Sequence, residues 1–325
     1  MKASARAHTN IALIKYWGKR DATLMLPANS SVSMTLDKFY TDTTVEFVPG
    51  QQTDHFLLDN HPQDAAATAR VSKILDLVRA KSGFSYGAQV SSHNHVPNAA
   101  GLASSASAYA ALALAASSAA GLHLDSADLS RLARRGSGSA SRSIAGGFVI
   151  WHRGSDDFSS FAEPVAVAPE LDLRMVTVLI DKQQKKVSSR TGMAHMASTS
   201  PYFKAWTEAC EAACPQMLTA LAAGDFKQVG ELAERNALMM HATNMAANPP
   251  FMYFEPATIA TLQYAAELRA QGLAVYATMD AGPNVKLLCQ STTATQIARL
   301  VAARIGTQTE ICAPGPAAHL LSTID

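Results

Sequence analysis

Apolar and polar positions alternate in short segments through residues 1–50, and turn residues stand between them at Asp37-Lys38 and Pro49-Gly50. A period of two residues is typical of half-buried β-strands. From residue 65 to 79 the apolar positions recur every three or four residues, which predicts an amphipathic helix. Residues 84–96 return to strand character and end at Pro97.

An alanine-rich run then predicts a closely packed helix from Ala106 to Ala120. The run contains three serines and depends on weakly apolar alanine, so we interpret it as a buried helix rather than a membrane span. A further helix is predicted from Leu129 to Arg135, with Gly136 as its C-terminal cap. Strand character resumes at residues 146–151.

The second half opens with a strong strand pattern from Leu171 to Ile180. Helical patterns dominate afterwards, with one more strand at residues 273–279; the helices are predicted at 202–223, 226–243, 256–271 and 292–305. Strands grouped early and helices interspersed later favour an α+β fold over a doubly wound sheet. For 325 residues a two-lobed unit is expected, and we divide it into residues 1–170 and 171–325.

Composition narrows the function classes. Hydrophobic residues make up 48% of the chain and charged residues 16%, which describes an ordinary soluble globular protein. The formal net charge of +1 disfavours a nucleic-acid partner and an anionic membrane surface. The four cysteines form no CxxC pair, and the N-terminus lacks the apolar core of a secretory leader. We therefore expect a cytoplasmic protein.

The segment from Thr9 to Asp21 carries two lysines, Lys15 and Lys19, on either side of an aromatic pair at the end of a predicted strand. Lysines are rarely buried unless they are paired, so a buried location would require an anionic partner. By itself the segment also fits a strand end with solvated lysines. Further segments with anion-binding character favour an anion-binding role for these lysines over the solvated alternative.

A loop of small residues from Pro97 to Ser107 joins a predicted strand to a predicted helix. Small residues allow a ligand to approach the backbone, and a helix N-terminus offers free N–H groups to phosphate. Ser104 and Ser105 can supply hydroxyls to phosphate or Mg²⁺. An ordinary serine N-cap is the simpler alternative. The loop is not a Walker motif, since no lysine follows Gly101 at the required spacing.

Two further segments combine hydroxyls with arginine. Residues 136–143 hold four serines and Arg142, whose planar fork matches a carboxylate or phosphate. A flexible, solvated linker would have a similar composition. The segment from Val187 to Met193 repeats the theme around Arg190.

An acid, Asp280, follows the last predicted strand directly and precedes a Gly-Pro turn. A turn-capping role is the alternative to a catalytic one. His93 and His95 alternate on a strand, but nothing in the sequence suggests a third ligand, so we do not predict a metal there.

Taken together, these segments resemble the diphosphomevalonate decarboxylases of the GHMP kinase superfamily. The similarity runs in order along nearly the whole chain; it includes residues 10–21, 26–31, 97–107, 136–142, 146–148, 185–193, 240–243 and 280–284. The phosphate loop alone indicates only the superfamily. Residues 15–19 and 137–142 narrow the resemblance to the decarboxylases.

The resemblance implies a two-lobed GHMP-kinase-type α+β fold. Its N-terminal lobe would hold a left-handed βαβ unit like that of ribosomal protein S5, its C-terminal lobe would be ferredoxin-like, and the active site would lie between them. It implies ATP-dependent conversion of (R)-5-diphosphomevalonate to isopentenyl diphosphate, CO₂, ADP and phosphate, with Mg²⁺. A homodimer is also expected. A 3-kinase or a decarboxylase of the monophosphate is the nearest alternative, and a metabolite-binding pseudoenzyme is a more distant one.

The resemblance also implies roles for individual residues. Asp280 would act on the 3-hydroxyl with Lys15 beside it, and Arg142 would bind the substrate carboxylate. The other substrate-binding residues would be Asn10, Tyr16, Trp17, Gly18, Lys19, Arg70, Ser137, Gly138, Ser139, Ala140, Ser141, Ser189, Arg190 and Thr199. ATP would be bound by Pro97, Asn98, Gly101, Leu102, Ala103, Ser104 and Ser105, with Ser104 or Ser105 near Mg²⁺.

Overall fold

The fold is given by a computed structural model that describes residues 1–95, 104–181 and 187–322. In this part of the chain the strands are β1 (Lys2–Ile14), β2 (Lys19–Asp21), β3 (Leu26–Pro27), β4 (Ser31–Phe47), β5 (His55–Leu58), β6 (His61–Pro62), β7 (Ala88–His95), β8 (Phe148–Trp151), β9 (Ala162–Pro164), β10 (Leu173–Val178), β11 (Tyr276–Met279), β12 (Val285–Gln290), β13 (Thr309–Cys312) and β14 (His319–Leu320). The helices are α1 (Ala65–Ser82), α2 (Ser104–Ala119), α3 (Ser126–Gly136), α4 (Ser189–Thr199), α5 (Phe203–Ala222), α6 (Phe226–Met245), α7 (Pro256–Ala270) and α8 (Ser291–Ile305). The predicted α+β class is confirmed.

The first sheet is built around β1 and β4, which pair antiparallel over most of their length. Its strands follow the order β14-β1-β4-β7-β5-β6. Strand β8 pairs with the first residues of β4, Ser31–Met34, and β9 pairs with β8. The predicted alternation is confirmed from Phe39 to Phe47, but the prediction of short segments with a turn at Asp37-Lys38 was wrong, because β4 continues through that position. Helix α2 covers one face of β1 and β4, and α5 and α6 also pack against these strands. The last residues of β1, Ala7–Ile14, and the first residues of β4, Ser31–Leu36, are therefore buried continuously instead of alternating.

Helix α2 is the alanine-rich helix that the sequence predicted, and most of its alanines are fully buried. Small side chains let the helix lie close to β1 and β4. No helix in the described ranges is long and apolar enough to cross a membrane.

Helix α3 does not end as predicted. Gly136 is its last helical residue, and Ser137 is the C-cap in an extended conformation. A Cβ atom on Gly136 would lie 2.1 Å from the ring of Tyr109 on α2. The glycine is therefore required by close packing against α2, and not by a left-handed cap.

The second sheet is antiparallel, in the order β11-β12-β10-β13, and helices α7 and α8 pack against it. Strand β11 begins at Tyr276, three residues later than predicted. The preceding residues still close α7, because the Leu273 amide donates to Leu268 O and Arg269 Nη1 donates to Val275 O.

One core cluster joins the two halves of the chain. Ile11 and Met34 from the first sheet belong to the same buried cluster as Met217 on α5 and Val229 and Met240 on α6. Helix α6 packs against both β1 and β11. Consequently the residues that follow β1 and the residues that follow β11 meet at one place.

Candidate active site

Lys15 and Asp280 meet where β1 and β11 end. Lys15 follows Ile14 and is 1% exposed, and its Nζ donates to Asp280 Oδ1 at 2.8 Å and to Ala12 O at 2.7 Å. These residues are 265 positions apart in sequence. The buried lysine therefore has the anionic partner that its burial requires.

Two more ionisable side chains from the second half lie beside this pair. Lys286 on β12 is 1% exposed, and its Nζ lies 3.9 Å from Asp280 Oδ2. His241 on α6 is also buried, and neither ring nitrogen has a hydrogen-bond partner of acceptable geometry among the described residues. Burial, with Lys15 nearby, lowers the pKa of His241 to about 3, so the ring is neutral at physiological pH.

The charges set the protonation state of Asp280. Burial alone would raise its pKa, but Lys15, Lys286 and Arg142 outweigh that effect and hold the pKa at about 2. Burial lowers the pKa of Lys15 and the proximity of Asp280 opposes that shift. We interpret the pair as ionised at neutral pH.

Buried asparagines hold the backbone that carries Lys15. Asn29 donates to Lys15 O at 2.8 Å, and the Lys15 amide donates to Asn236 Oδ1 at 2.7 Å. Two residues on, the Trp17 indole donates to Asn244 Oδ1 at 2.8 Å. Trp17 is thus part of the core, and the polar contacts fix the direction in which Lys15 points.

The serine segment is a buried 3-10 turn, Gly138–Ser143, and the alternative of a flexible, solvated linker is wrong. Asn10 on β1 donates to Ser139 O at 3.0 Å and to Ser143 Oγ at 2.8 Å. These contacts come from about 130 residues earlier in the chain, which is why composition alone could not separate the two alternatives.

Arg142 leaves this turn and points toward the Lys15–Asp280 pair. Its Nε donates to Asn10 Oδ1 at 3.1 Å and its Nη1 to Ser31 Oγ at 2.7 Å. Neither partner is charged. Burial lowers the pKa of Arg142 to about 10, so it remains a cation.

Tyr16 forms a wall between the lysine segment and the serine turn. Its ring lies edge-on to Trp151 at a centroid distance of 4.7 Å, and a Cβ atom on Gly138 would lie 2.7 Å from it. The buried Tyr16 hydroxyl has no hydrogen-bond partner among the described residues. Burial raises its pKa, so it is a neutral donor available to a ligand.

The serines of the turn divide into two groups. Ser137 Oγ lies 3.2 Å from Ser105 Oγ at the start of α2 and 3.4 Å from Ser139 Oγ, so three predicted hydroxyls lie together. Ser141 is buried and donates to Gly138 O at 2.7 Å. Ala140 is fully buried in the core beside α2. Ser141 and Ala140 therefore support the turn from inside.

Three further cations belong to the same region. Burial lowers the pKa of Lys19, and Arg190 on α4 lowers it further. Burial raises the pKa of the Tyr109 hydroxyl, and Arg70 of α1 and Arg190 oppose that shift. Within the described ranges, Lys19, Arg70 and Arg190 form no ion pair. Cations without acidic partners favour an anionic ligand.

The remaining predicted residues are placed less directly. Gly18 is buried against the ring of Phe203, and Ser189 begins α4 next to Arg190. Thr199 donates to His195 O at 2.8 Å and accepts the Asn248 amide at 3.1 Å, so its hydroxyl stabilises the end of α4. Pro97, Asn98, Gly101, Leu102 and Ala103 lie outside the described residues, as does the side chain of Ser104.

The described residues contain no group of three or more histidine, cysteine or acidic side chains that could hold a metal ion. The exposed Ser105 hydroxyl at the N-terminus of α2 remains available. This donor set fits Mg²⁺ in the form it commonly takes beside nucleotides, where phosphate oxygens and water supply most ligands.

Comparison with known proteins places the chain in a family. A model described as the diphosphomevalonate decarboxylase-like N-terminal domain matches residues 7–162, and one described as the mevalonate 5-diphosphate decarboxylase C-terminal domain matches residues 175–315. The chain belongs to the diphosphomevalonate decarboxylase family. The resemblance found from the sequence is confirmed.

Individual relatives agree with this assignment over the full length. The mevalonate diphosphate decarboxylase of Staphylococcus aureus is 42% identical with a TM-score of 0.94, covering 99% of this chain and 98% of that one. A structure described as "MDDEF in complex with MVAPP, AMPPCP and Magnesium" is 44% identical with a TM-score of 0.94, covering 99% of both chains. The phosphomevalonate decarboxylase of Haloferax volcanii is 33% identical, covering 99% of this chain and 98% of the relative.

Sequence reasoning missed several residues that the structure brings to this site. Lys286 was missed because no strand was predicted between residue 279 and the helix at 292, where the structure has β12. Asn29 and His241 stood in segments that carried the resemblance, but no role was assigned to them. Tyr109 and the two asparagines of α6, Asn236 and Asn244, gave no signal, because their partners are distant in sequence.

Proposed function

We propose that this chain catalyses the ATP-dependent decarboxylation of (R)-5-diphosphomevalonate to isopentenyl diphosphate, with release of CO₂, ADP and phosphate. The observation that carries the proposal is the charge of the buried cluster. Lys15 and Arg142 are each at most 3% exposed, and among the described residues Asp280 is the one carboxylate that pairs with Lys15, while Arg142 is held by uncharged partners. An excess of buried positive charge is costly unless an anion binds there.

Asp280 is suited to orient the 3-hydroxyl of the substrate. As an ionised carboxylate it accepts the hydroxyl hydrogen and turns the oxygen lone pair toward the γ-phosphorus of ATP. Its low pKa makes it a weak base. As the new P–O bond forms, the bond from the γ-phosphorus to ADP breaks and the hydroxyl proton passes to a phosphate oxygen. A loose transition state needs little early removal of that proton, so orientation is the larger contribution.

Arg142 is suited to bind the substrate carboxylate. Two of its nitrogens are fixed by Asn10 and Ser31, which sets the plane of the guanidinium fork. After phosphoryl transfer, the C3–O bond breaks and phosphate leaves with the bonding electrons. The C1–C2 bond then breaks, its electrons form the C2–C3 double bond, and C1 departs as CO₂.

The diphosphate is assigned to the opposite end of the site. Lys19, Arg70 and Arg190 supply positive charge, and the hydroxyls of Tyr16, Ser137 and Ser139 supply hydrogen bonds. Fixing the diphosphate far from C3 positions the reacting end of the molecule.

ATP is assigned to the loop of residues 97–103 and the N-terminus of α2, with Ser104 and Ser105 as hydroxyl donors. Bound Mg²⁺ would neutralise charge on the ATP phosphates. Ser105 would hold this ion together with phosphate oxygens, and its contact with Ser137 would link the nucleotide end to the serine turn.

The main alternative is a decarboxylase of the monophosphate, and it is supported by the similarity to the Haloferax protein. A 3-kinase without decarboxylation is a second alternative. Three cations without acidic partners favour the diphosphate over the monophosphate, because a second phosphate needs additional positive charge. A pseudoenzyme is disfavoured by the presence of Lys15, Asp280 and Arg142 together.

The test measures ADP and CO₂ from ATP with diphosphomevalonate and with phosphomevalonate, with and without chelation of Mg²⁺. We expect equal amounts of ADP and CO₂ from the diphosphate, a much lower kcat/KM for the monophosphate, and no reaction without Mg²⁺. A higher kcat/KM for the monophosphate would establish the first alternative. ADP without CO₂ would establish the kinase.

We further propose two domains, residues 1–170 and 171–325, in a homodimeric cytoplasmic enzyme whose partner is the small-molecule substrate. The similarity of the second half to a C-terminal domain model supports the division. Analytical ultracentrifugation and cell fractionation test the assembly and the location. A monomeric species at micromolar concentration would contradict the dimer.

A further inference from the structure

Lys286 occupies an unusual position for a charged residue. It lies on β12, opposite Thr177 of β10 and Thr278 of β11, in the interior of the second sheet. Its neighbours along the strand, Val285 and Leu287, are fully buried and apolar. Val285 and Leu287 point to the opposite face of the sheet, and the cross-strand neighbours Thr177 and Thr278 carry no charge, so the buried ammonium group requires a specific explanation.

The explanation lies in how the two lysines approach Asp280. Lys15 comes from the first half of the chain and bonds to Oδ1 at 2.8 Å. Lys286 comes from the second sheet, and its Nζ lies 3.9 Å from Oδ2 while it donates to Asn284 O at 3.1 Å. The carboxylate thus has a cation beside each oxygen, which restricts its rotation and stabilises its charge.

We propose that Lys286 is a positioning residue of the reaction, which acts through Asp280 by fixing its orientation and keeping it ionised. This rests on the proposed function, because it concerns the carboxylate assigned to the 3-hydroxyl. Lys286 itself is buried behind that carboxylate and is not assigned to the substrate.

The other groups that face Asp280 do not substitute for Lys286. Lys15 already bonds to the opposite oxygen, and Arg142 is held by Asn10 and Ser31. His241, on the α6 side, is neutral. Removal of Lys286 therefore removes the cation that lies 3.9 Å from Oδ2.

The first experiment compares kcat against pH for the wild type, Lys286→Met and Lys286→Arg. An opposite charge at this distance lowers a carboxyl pKa by about 1–3 units. Its removal raises the pKa of Asp280, so the carboxylate becomes protonated at a higher pH. We expect the acid limb of kcat to move up by about 1–3 pH units in Lys286→Met, with KM unchanged. The substrate phosphates ionise well above a pKa of about 2 and mask Asp280 wherever they limit kcat, so the titration of Asp280 in the protein without substrate, described below, is the deciding measurement.

Two controls separate positioning from structure. Lys286→Arg keeps the charge and should restore most of the wild-type profile. Lys227→Met removes a lysine from the exposed face of α6, where it pairs with Glu231, and should leave the profile unchanged. Melting temperatures identify misfolding. If Lys286→Met does not fold, Lys286→Gln replaces it as the neutral variant.

A double-mutant cycle tests whether Lys286 acts on kcat through Asp280. If Lys286 acts through Asp280, adding Lys286→Met to Asp280→Asn should cause no further loss of kcat. Equal losses in both backgrounds would show that Lys286 acts independently and would overturn the proposal.

A direct measurement keeps this inference separate from the proposed function. The Asp280 carboxyl can be titrated by ¹³C NMR in the protein without substrate, with Asp280→Asn identifying its signal. The pKa should rise in Lys286→Met and return in Lys286→Arg. An unchanged pKa and an unchanged acid limb would overturn the role of Lys286, whereas failure of the wild type to release CO₂ would overturn only the proposed reaction.

Discussion

The Asp280 carboxylate shows how a residue's environment determines its chemistry. An isolated buried acid would be neutral at physiological pH, but here two lysines and an arginine keep it charged. The sequence indicated three members of this group, because Asp280 follows an apolar strand, Lys15 ends one and Arg142 lies in the serine-rich segment. Lys286 could not be found in the same way, since its burial depends on how β10, β11 and β12 pair.

Replacing Asp280 with asparagine should lower kcat by about 10²–10⁴-fold, the usual contribution of a positioned acid–base group. The amide keeps the size of the side chain but lacks the negative charge that orients the 3-hydroxyl and balances the charge of Lys15. CO₂ release measures kcat, and equilibrium binding should show that ATP and substrate still bind. The control is Asp64→Asn at the N-cap of α1, where asparagine caps equally well. Activity of Asp280→Asn within a few-fold of wild type would remove Asp280 from the mechanism.

Arg142→Lys should be poorly tolerated although it keeps the charge. An ammonium cannot hold Asn10 and Ser31 while it binds a carboxylate through two parallel bonds. Phosphoryl transfer and fragmentation need different alignments, so CO₂ should fall more than ADP when both are measured in one reaction.

Arg131→Lys is the matched control, because Arg131 on α3 is also held through its guanidinium, by Asp128 and by Phe158 O, and is not assigned to the site. It should leave both products unchanged. Wild-type yields of both products in Arg142→Lys would rule out a geometric role for the arginine.

At the scale of elements, the turn Gly138–Ser143 holds much of the site in place. Its composition predicted hydroxyls and an arginine near an anion, but not its rigidity. That rigidity comes from Asn10 on β1 and from the packing of Tyr16 over Gly138. The prediction of Gly136 as a helix cap failed for a similar reason, since Tyr109 of a different helix occupies the space.

Gly138→Ala should displace this turn and the Tyr16 ring together. The added methyl would lie 2.7 Å from the Tyr16 ring, which also packs edge-on against Trp151. Overpacking of this kind costs about 1–3 kcal/mol of unfolding free energy. We expect that loss in chemical denaturation and a higher KM for the substrate, because Tyr16 and the serines move apart.

Gly306→Ala provides the comparison for that experiment. Gly306 caps α8 in a left-handed conformation with open space around it, so alanine adds backbone strain without a clash. It should lower stability and leave KM unchanged. A normal KM in Gly138→Ala would show that the turn tolerates displacement of Tyr16.

At the scale of the whole molecule, the two halves depend on each other. Each sheet has its own core, but the third cluster contains residues from both halves and lies beside the site. Sequence patterns identified most of the helices because burial periodicity is local, but they missed α4 and several strands, among them β12 and β13. They could not show that α5 and α6 of the second half complete the packing of β1 and β4, since such contacts have no local pattern.

This shared core predicts how a substitution far from the site affects the whole chain. Met217 on α5 is fully buried in the shared cluster, so Met217→Ala should cost about 2–5 kcal/mol. Because both halves supply the surrounding residues, near-ultraviolet and far-ultraviolet circular dichroism should shift to the same lower denaturant midpoint. Met252→Ala is the matched control, since Met252 is 62% exposed and its loss should change stability by less than about 0.5 kcal/mol. Two separate transitions in Met217→Ala, with one left at the wild-type midpoint, would show that the halves unfold independently.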